Sequence, residues 1–135
     1  MVHFWAQMYA RQVSASKKKE PMRSKTRAIS IWQPFAELIL QGKKKKEFRS
    51  RRTAIRGKVY IYACRKIDHD TQSWRKVGTM EPILPIGKIV GTSEIIDCKP
   101  TSGGGFAFIL ANPKRYSRCL KPKNQPQPCF WISHF

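Results

Sequence analysis

The run Val59-Tyr60-Ile61-Tyr62-Ala63 is apolar on both faces of a strand. Under period-two alternation, Val59, Ile61 and Ala63 point one way, and Tyr60, Tyr62 and Cys64 the other. Such a segment predicts a central strand, covered on both sides. At 135 residues the chain holds one core, not two. What surrounds this strand must therefore be short elements of the same domain.

The flanking segments supply them. Ala28-Ile29-Ser30-Ile31 reads as a short strand, and Pro34 suits the first position of a helix because it lacks an amide hydrogen. Phe35, Leu38 and Ile39 then form one apolar stripe at helical spacing, closed at Gln41-Gly42, where Gly42 can take a left-handed backbone. Lys43 to Arg49 reads as extended. Its alternation places Lys43, Lys45, Glu47 and Arg49 on one face and Lys44, Lys46 and Phe48 on the other, with Phe48 expected inside. Asp68-His69-Asp70 is placed to cap a helix running to Val77 and stopped by Gly78. Glu81 to Pro85 is a proline-bounded connection. Ile86 to Asp97 predicts a long strand with Gly91 at a bulge or bend. Phe106 to Leu110 reads as a buried strand stopped at Asn112-Pro113, Lys114 to Pro128 as irregular, and Phe130-Trp131-Ile132 as a last strand. About five strands with one or two helices, the helices early and the strands mostly late, predict an α+β fold, a small mixed β-barrel with helices outside. Residues 1–27 read instead as a flexible basic arm, a phosphate-following or targeting segment being the sharper alternatives, with the domain at 28–135.

Charge narrows the partner. Lys and Arg number 27 against 8 Asp and Glu, a formal net charge of +19. So one-sided a surface repels itself when folded, and its usual partner is a polyanion. No apolar stretch is long enough to span a bilayer, and the basic residues do not follow one face of a long helix. Nucleic acid is thus expected rather than membrane, and a cytoplasmic location. Cys64, Cys98, Cys119 and Cys129 have neither the spacing nor the nearby histidines of a zinc site. Cys64 and Cys98 end hydrophobic runs and read as small buried residues. His69 reads as a capping or solvated residue. No metal and no cofactor are expected. The Gly103-Gly104-Gly105 run lacks the Lys-Ser/Thr and following helix of a phosphate loop.

Gly42-Lys43-Lys44-Lys45-Lys46-Glu47-Phe48-Arg49 resembles the G-x-K-x-x-E-x-R signature of the ASCH (activating-signal-cointegrator homology) domain, in the PUA-like superfamily. Ser30-Ile31-Trp32-Gln33-Pro34-Phe35-Ala36-Glu37-Leu38-Ile39 is similar to that family's opening motif. Arg56-Gly57-Lys58 with Val59 to Ala63, Gly91-Thr92 to Cys98, Asn112-Pro113 and Phe130-Trp131 extend the similarity over about residues 28 to 133. Pro126-Gln127-Pro128-Cys129 departs from it where glycines are usual. The resemblance implies a PUA-like barrel of five or six strands flanked by helices, with a cleft between barrel and helix, and a role in binding RNA or DNA, RNA before DNA. The residues expected to contact nucleic acid are Trp32, Gln33, Lys43, Lys44, Lys45, Lys46, Glu47, Arg49, Arg51, Arg52, Arg65 and Lys66. Tyr60 and Tyr62 are further stacking candidates if exposed.

Two roles stay open for Glu47: a surface ion pair with Arg49 or a lysine, or a group that orients a basic side chain and accepts from a base edge. An enzymatic alternative also follows from the resemblance, since some members are similar to ribonucleases. Lys44 would then stabilise charge on phosphate and Glu47 would act as a base. Another branch resembles amidohydrolases that deacetylate a modified cytidine, using a Thr where Glu47 stands here. A carboxylate cannot replace that hydroxyl nucleophile.

Overall fold

Both faces of the central strand are covered, as its sequence demands. In a computed structural model describing residues 26–78 and 83–135, the elements are β1 (Arg27–Gln33), α1 (Phe35–Leu40), β2 (Lys46–Arg49), β3 (Gly57–Ile67), α2 (Thr71–Val77), β4 (Lys88–Pro100), β5 (Phe106–Leu120) and β6 (Phe130–Ile132). The strands form one six-stranded sheet in the order β2-β5-β4-β3-β1-β6. β1 and β3 run parallel, with Ile29 beside Ile61, and the other pairings are antiparallel. This is the α+β class expected, but the sheet is not closed, since β2 and β6 remain its edges. The reading of residues 1–27 as an arm lies almost wholly outside the described residues. Glu81-Pro82 also lies outside them. None of the described helices is long and apolar enough to cross a membrane.

β3 separates two apolar clusters. Val59, Ile61 and Ala63 pack with Ile29, Ile31, Ala36, Ile39, Leu40, Val90, Ile95, Phe108 and Leu110. Tyr60 and Tyr62 turn the other way, into a smaller cluster with Ala28, Ile89, Tyr116 and Trp131. Tyr62 meets Trp131 edge to face at 5.2 Å. The two tyrosines are therefore core residues, at 9% and 4% exposure, and not exposed stacking platforms. Cys98 and Cys119 pack against the first cluster and Cys64 against the second.

The helices are short and are held from their ends and sides. Gln33, not Pro34, tethers the start of α1: its side-chain oxygen accepts from Glu37 N (3.0 Å), and its amide donates to Pro85 O (2.9 Å). Asp70 caps α2, accepting from Ser73 N (3.3 Å) and Ser73 Oγ (2.7 Å). Gly78 ends that helix with φ 83°. α1 is locked to β5 by a buried carboxylate. Arg115 donates to both oxygens of Glu37, at 2.7 and 2.6 Å, and Gln41 donates to Oε2 at 2.8 Å. Burial disfavours the charge on Glu37, but the bonds from Arg115 and Gln41 outweigh it and hold the carboxyl below its ordinary range.

The long β4–β5 ribbon has three register shifts, the third between Ile95 and Asp97, and the first two shape the fold most. At the first, Gly91 pairs with Arg115 but Ile89 with Leu120, and β3 also skips Val90, pairing Ile61 with Gly91 and Tyr62 with Ile89. Gly91 lies where the backbone of β5 comes closest: a Cβ there would run into the Lys114 carbonyl oxygen and lie 2.8 Å from Leu40 Cδ2. At the second, Thr92 pairs with Lys114 and Glu94 with Ala111, so Asn112 and Pro113 oppose Ser93 alone. Asn112 takes a positive φ of 51°, and β5 then resumes pairing as far as Leu120. The Asn-Pro pair is thus not a stop, as its sequence suggests, because the extra residues are pushed out of the ladder.

Two outcomes follow from this packing. Gly91→Ala should destabilise the domain by about 3 kcal/mol or more, because a backbone carbonyl cannot yield as a side chain can; urea unfolding measures it. Glu37→Gln should cost about 1–3 kcal/mol at neutral pH. Since the folded carboxyl titrates below its unfolded value, the stability it contributes is present above about pH 4.5 and lost as pH falls through its folded pKa. Thermal unfolding from pH 7 to 3 should therefore show a shallower acid loss in Glu37→Gln than in the wild type.

Candidate nucleic-acid interface

A helix, a lysine turn and a short edge strand build the site in sequence order. Gly42 takes φ 77°, and the amides of Lys43 and Lys44 both donate back to Leu38 O (3.0 and 3.1 Å), so the chain turns tightly out of α1. Lys45 O then accepts from Leu110 N (2.9 Å), which lays β2 against β5. In β2, Glu47 opposes Phe108 and Arg49 opposes Phe106.

Alternation in β2 is as expected, but the faces are exchanged. Glu47 and Arg49 point inward, with side chains 12% and 21% exposed, and Phe48 is outside at 59%. The polar pair wins the inner face because it has partners there. Arg49 Nε donates to Glu47 Oε2 (3.0 Å), and Nη2 donates to Ser30 O on β1 (2.7 Å). Lys44 Nζ lies 3.6 Å from Glu47 Oε1, over the rings of Phe35 and Phe48 at 5.5 and 5.4 Å. Phe48 exchanges burial for this cation–π contact at the surface.

Glu47, Arg49 and Phe35 line a cavity of about 310 Å³ together with Ser30, Ile31, Trp32 and Pro128. Trp32 is 44% exposed, and Lys66 Nζ stands 5.7 Å from its ring centre. The walls are thus aromatic, the polar wall holds one carboxylate and one guanidinium, and the rim carries ammonium groups. Ser30 Oγ is engaged, donating to Gln127 O (2.6 Å) and accepting from Trp131 Nε1 (3.0 Å). Burial pushes the Cys64 thiol up, against a hydrogen bond with Ser30 and the charge of Arg49, so it is not an activated nucleophile.

Of the residues singled out in the sequence, Trp32, Lys44, Glu47 and Arg49 come together here, with Lys66 beside Trp32. Gln33 is 1% exposed and holds the start of α1. Lys43 donates to Lys76 O in the last turn of α2 (2.6 Å), where the helix dipole favours a cation. Lys45, Lys46, Arg51, Arg52 and Arg65 are exposed and do not line this cavity. Phe35 and Pro128 were not legible as its walls. Phe35 shares the apolar stripe of α1, and Pro128 comes from a loop distant in sequence. The resemblance nevertheless implies that the Pro126-to-Cys129 stretch forms the loop closing the cleft, and Pro128 lies in the cavity lining.

The fold has counterparts among solved structures. An ASCH protein of Zymomonas mobilis superposes with a TM-score of 0.53 at 19% identity, covering 80% of this chain and 87% of that one. A tyrosine-to-phenylalanine variant of ASCH from the same organism gives 0.55 at 18% identity, covering 81% and 90%. No curated protein matches the chain significantly. The ASCH domain family itself matches over residues 29–117, from β1 into the second half of β5. The chain belongs to the ASCH domain family.

Proposed function

We propose that this protein is a binding module for single-stranded RNA that seats an unpaired base in the cavity beside Trp32 while its surface cations hold the phosphates. The observation that carries the reading is an exposed tryptophan that lines a cavity together with Phe35 and a carboxylate, in a chain of net charge +19. Aromatic faces bind any base by stacking, and a carboxylate accepts hydrogen bonds from exocyclic amino groups. A duplex hides those edges, so an unpaired strand is the better fit. Lys46, Arg51 and Arg52 supply exposed positive charge outside the cavity.

The same geometry favours binding over hydrolysis. Arg49 and Lys44 flank the Glu47 carboxylate at 3.0 and 3.6 Å, which commits it to ion pairs within the fold. Neither His69 nor His134 lines the cavity. Lys44 beside Glu47 is nonetheless the pair that a ribonuclease reading requires, so turnover is measured alongside binding.

Fluorescence anisotropy with labelled single-stranded and duplex RNA should show preference for the single strand, with affinity falling steeply between 50 and 200 mM salt. Trp32→Ala should weaken single-strand binding by about 5- to 150-fold, the equivalent of one stacked base. Lys44→Ala should weaken it without product accumulating in either protein. Absence of binding at low salt would end the proposal. RNA cleavage by the wild type that Lys44→Ala abolishes would replace it with the hydrolase.

A further inference from the structure

A second cavity, of about 240 Å³, lies between the lysine turn and the bulge of β5, bordered by Ile39, Lys44, Lys45, Leu110, Asn112 and Pro113. Two hydrogen bonds hold its borders, one between backbones and one from a side chain. Leu110 N donates to Lys45 O (2.9 Å), and Ser93 Oγ donates to Ala111 O (3.0 Å). Asn112 and Pro113 are left out of the pairing with β4, and the hollow lies beside them. Ile39 and Leu110 make part of its lining apolar, and the exposed side chain of Asn112 offers both a donor and an acceptor beside it.

Lys44 borders this hollow, and its ammonium lies 3.6 Å from Glu47, which borders the first cavity. One lysine thus connects two base-sized cavities, and Lys45, which also lines the second, is exposed next to it. We propose that the second cavity receives the base adjacent to the one in the first, so that the site reads a dinucleotide, with the linking phosphate on Lys44 and Lys45. The occupant follows from the chemistry. A free phosphate would find little in an apolar hollow, and an uncharged apolar ligand would have no use for two lysines. A base joined to a phosphate satisfies both, and the Asn112 amide can pair with its edge. This inference rests on the RNA-binding reading and adds the size and register of its footprint.

The test compares a nucleoside 5′-monophosphate, a dinucleotide, and the same dinucleotide carrying an abasic ribose in place of each base in turn, by calorimetry or NMR titration at 50 mM salt. The intact dinucleotide should bind about 5- to 150-fold more tightly than either abasic form. Asn112→Gly, which keeps the positive φ accessible, should reduce that advantage by about 2- to 12-fold and leave the monophosphate unaffected. An abasic dinucleotide that binds as well as the intact one, or an advantage unchanged in Asn112→Gly, would overturn the second base site while leaving the first. Failure of all three ligands and of longer RNA would instead strike the RNA-binding reading.

Discussion

The guanidinium of Arg49 bridges a gap that the sheet leaves open. Its strand, β2, is one edge of the sheet, and β1 lies four neighbours away in the hydrogen-bonded order. Arg49 nevertheless reaches the Ser30 carbonyl on β1 at 2.7 Å, so the sheet curls until its β2 edge faces β1. A backbone ladder would need several residues in register to make this closure. One side chain makes it at a single point and leaves space beside it, and that space is the cavity with Trp32 and Phe35. Glu47 is what aims the guanidinium, and two residues apart on a strand is the spacing that puts both on one face. The E-x-R part of the signature is in this sense a fastening as well as a surface.

The same economy governs the few acids in a chain of this charge. Among the described residues, Glu37 on α1 holds Arg115 of β5, and Glu47 holds Arg49 of its own strand β2. Asp70 is used as a helix cap. An arginine suits both bridges because its planar fork can engage a carboxylate and still direct a donor elsewhere. With these acids committed to the fold, little negative charge among the described residues remains near the site to offset the exposed lysines and arginines.

Much of this was legible in the sequence because local chemistry and tertiary context agreed. Apolar residues on both faces of Val59 to Ala63 do specify an internal strand, and Asp70 with Gly78 do bracket α2. The signature's Lys, Glu and Arg do converge. Legibility failed where a local preference met a stronger partner out of sequence range. Phe48 belongs inside by hydrophobicity alone, but the inner face of β2 is taken by a charged pair whose anchor, Ser30, is nineteen residues away. Asn112-Pro113 is a stop by local rules, but the ladder to β4 resumes beyond it. Gln33 sits beside Trp32 in sequence and faces the opposite environment, since neighbours on a strand alternate. The openness of the sheet was beyond reach, because strand count and order do not reveal which edges meet.

On the proposed reading, the carboxylate in the cavity wall bears on how a strand of RNA would lie. A phosphate entering the cavity would meet Glu47, whose charge opposes its own, while Lys45, Lys46, Arg51 and Arg52 offer uncompensated cations outside. A base entering the same space meets aromatic walls and an acceptor. Attraction at the rim and repulsion within therefore act on different parts of one nucleotide, and both favour backbone outward and base inward. Uniform positive charge would hold the polymer without orienting it. On the proposed reading, a single negative group, fixed by the residue that also fastens the sheet, would convert general attraction into a defined pose.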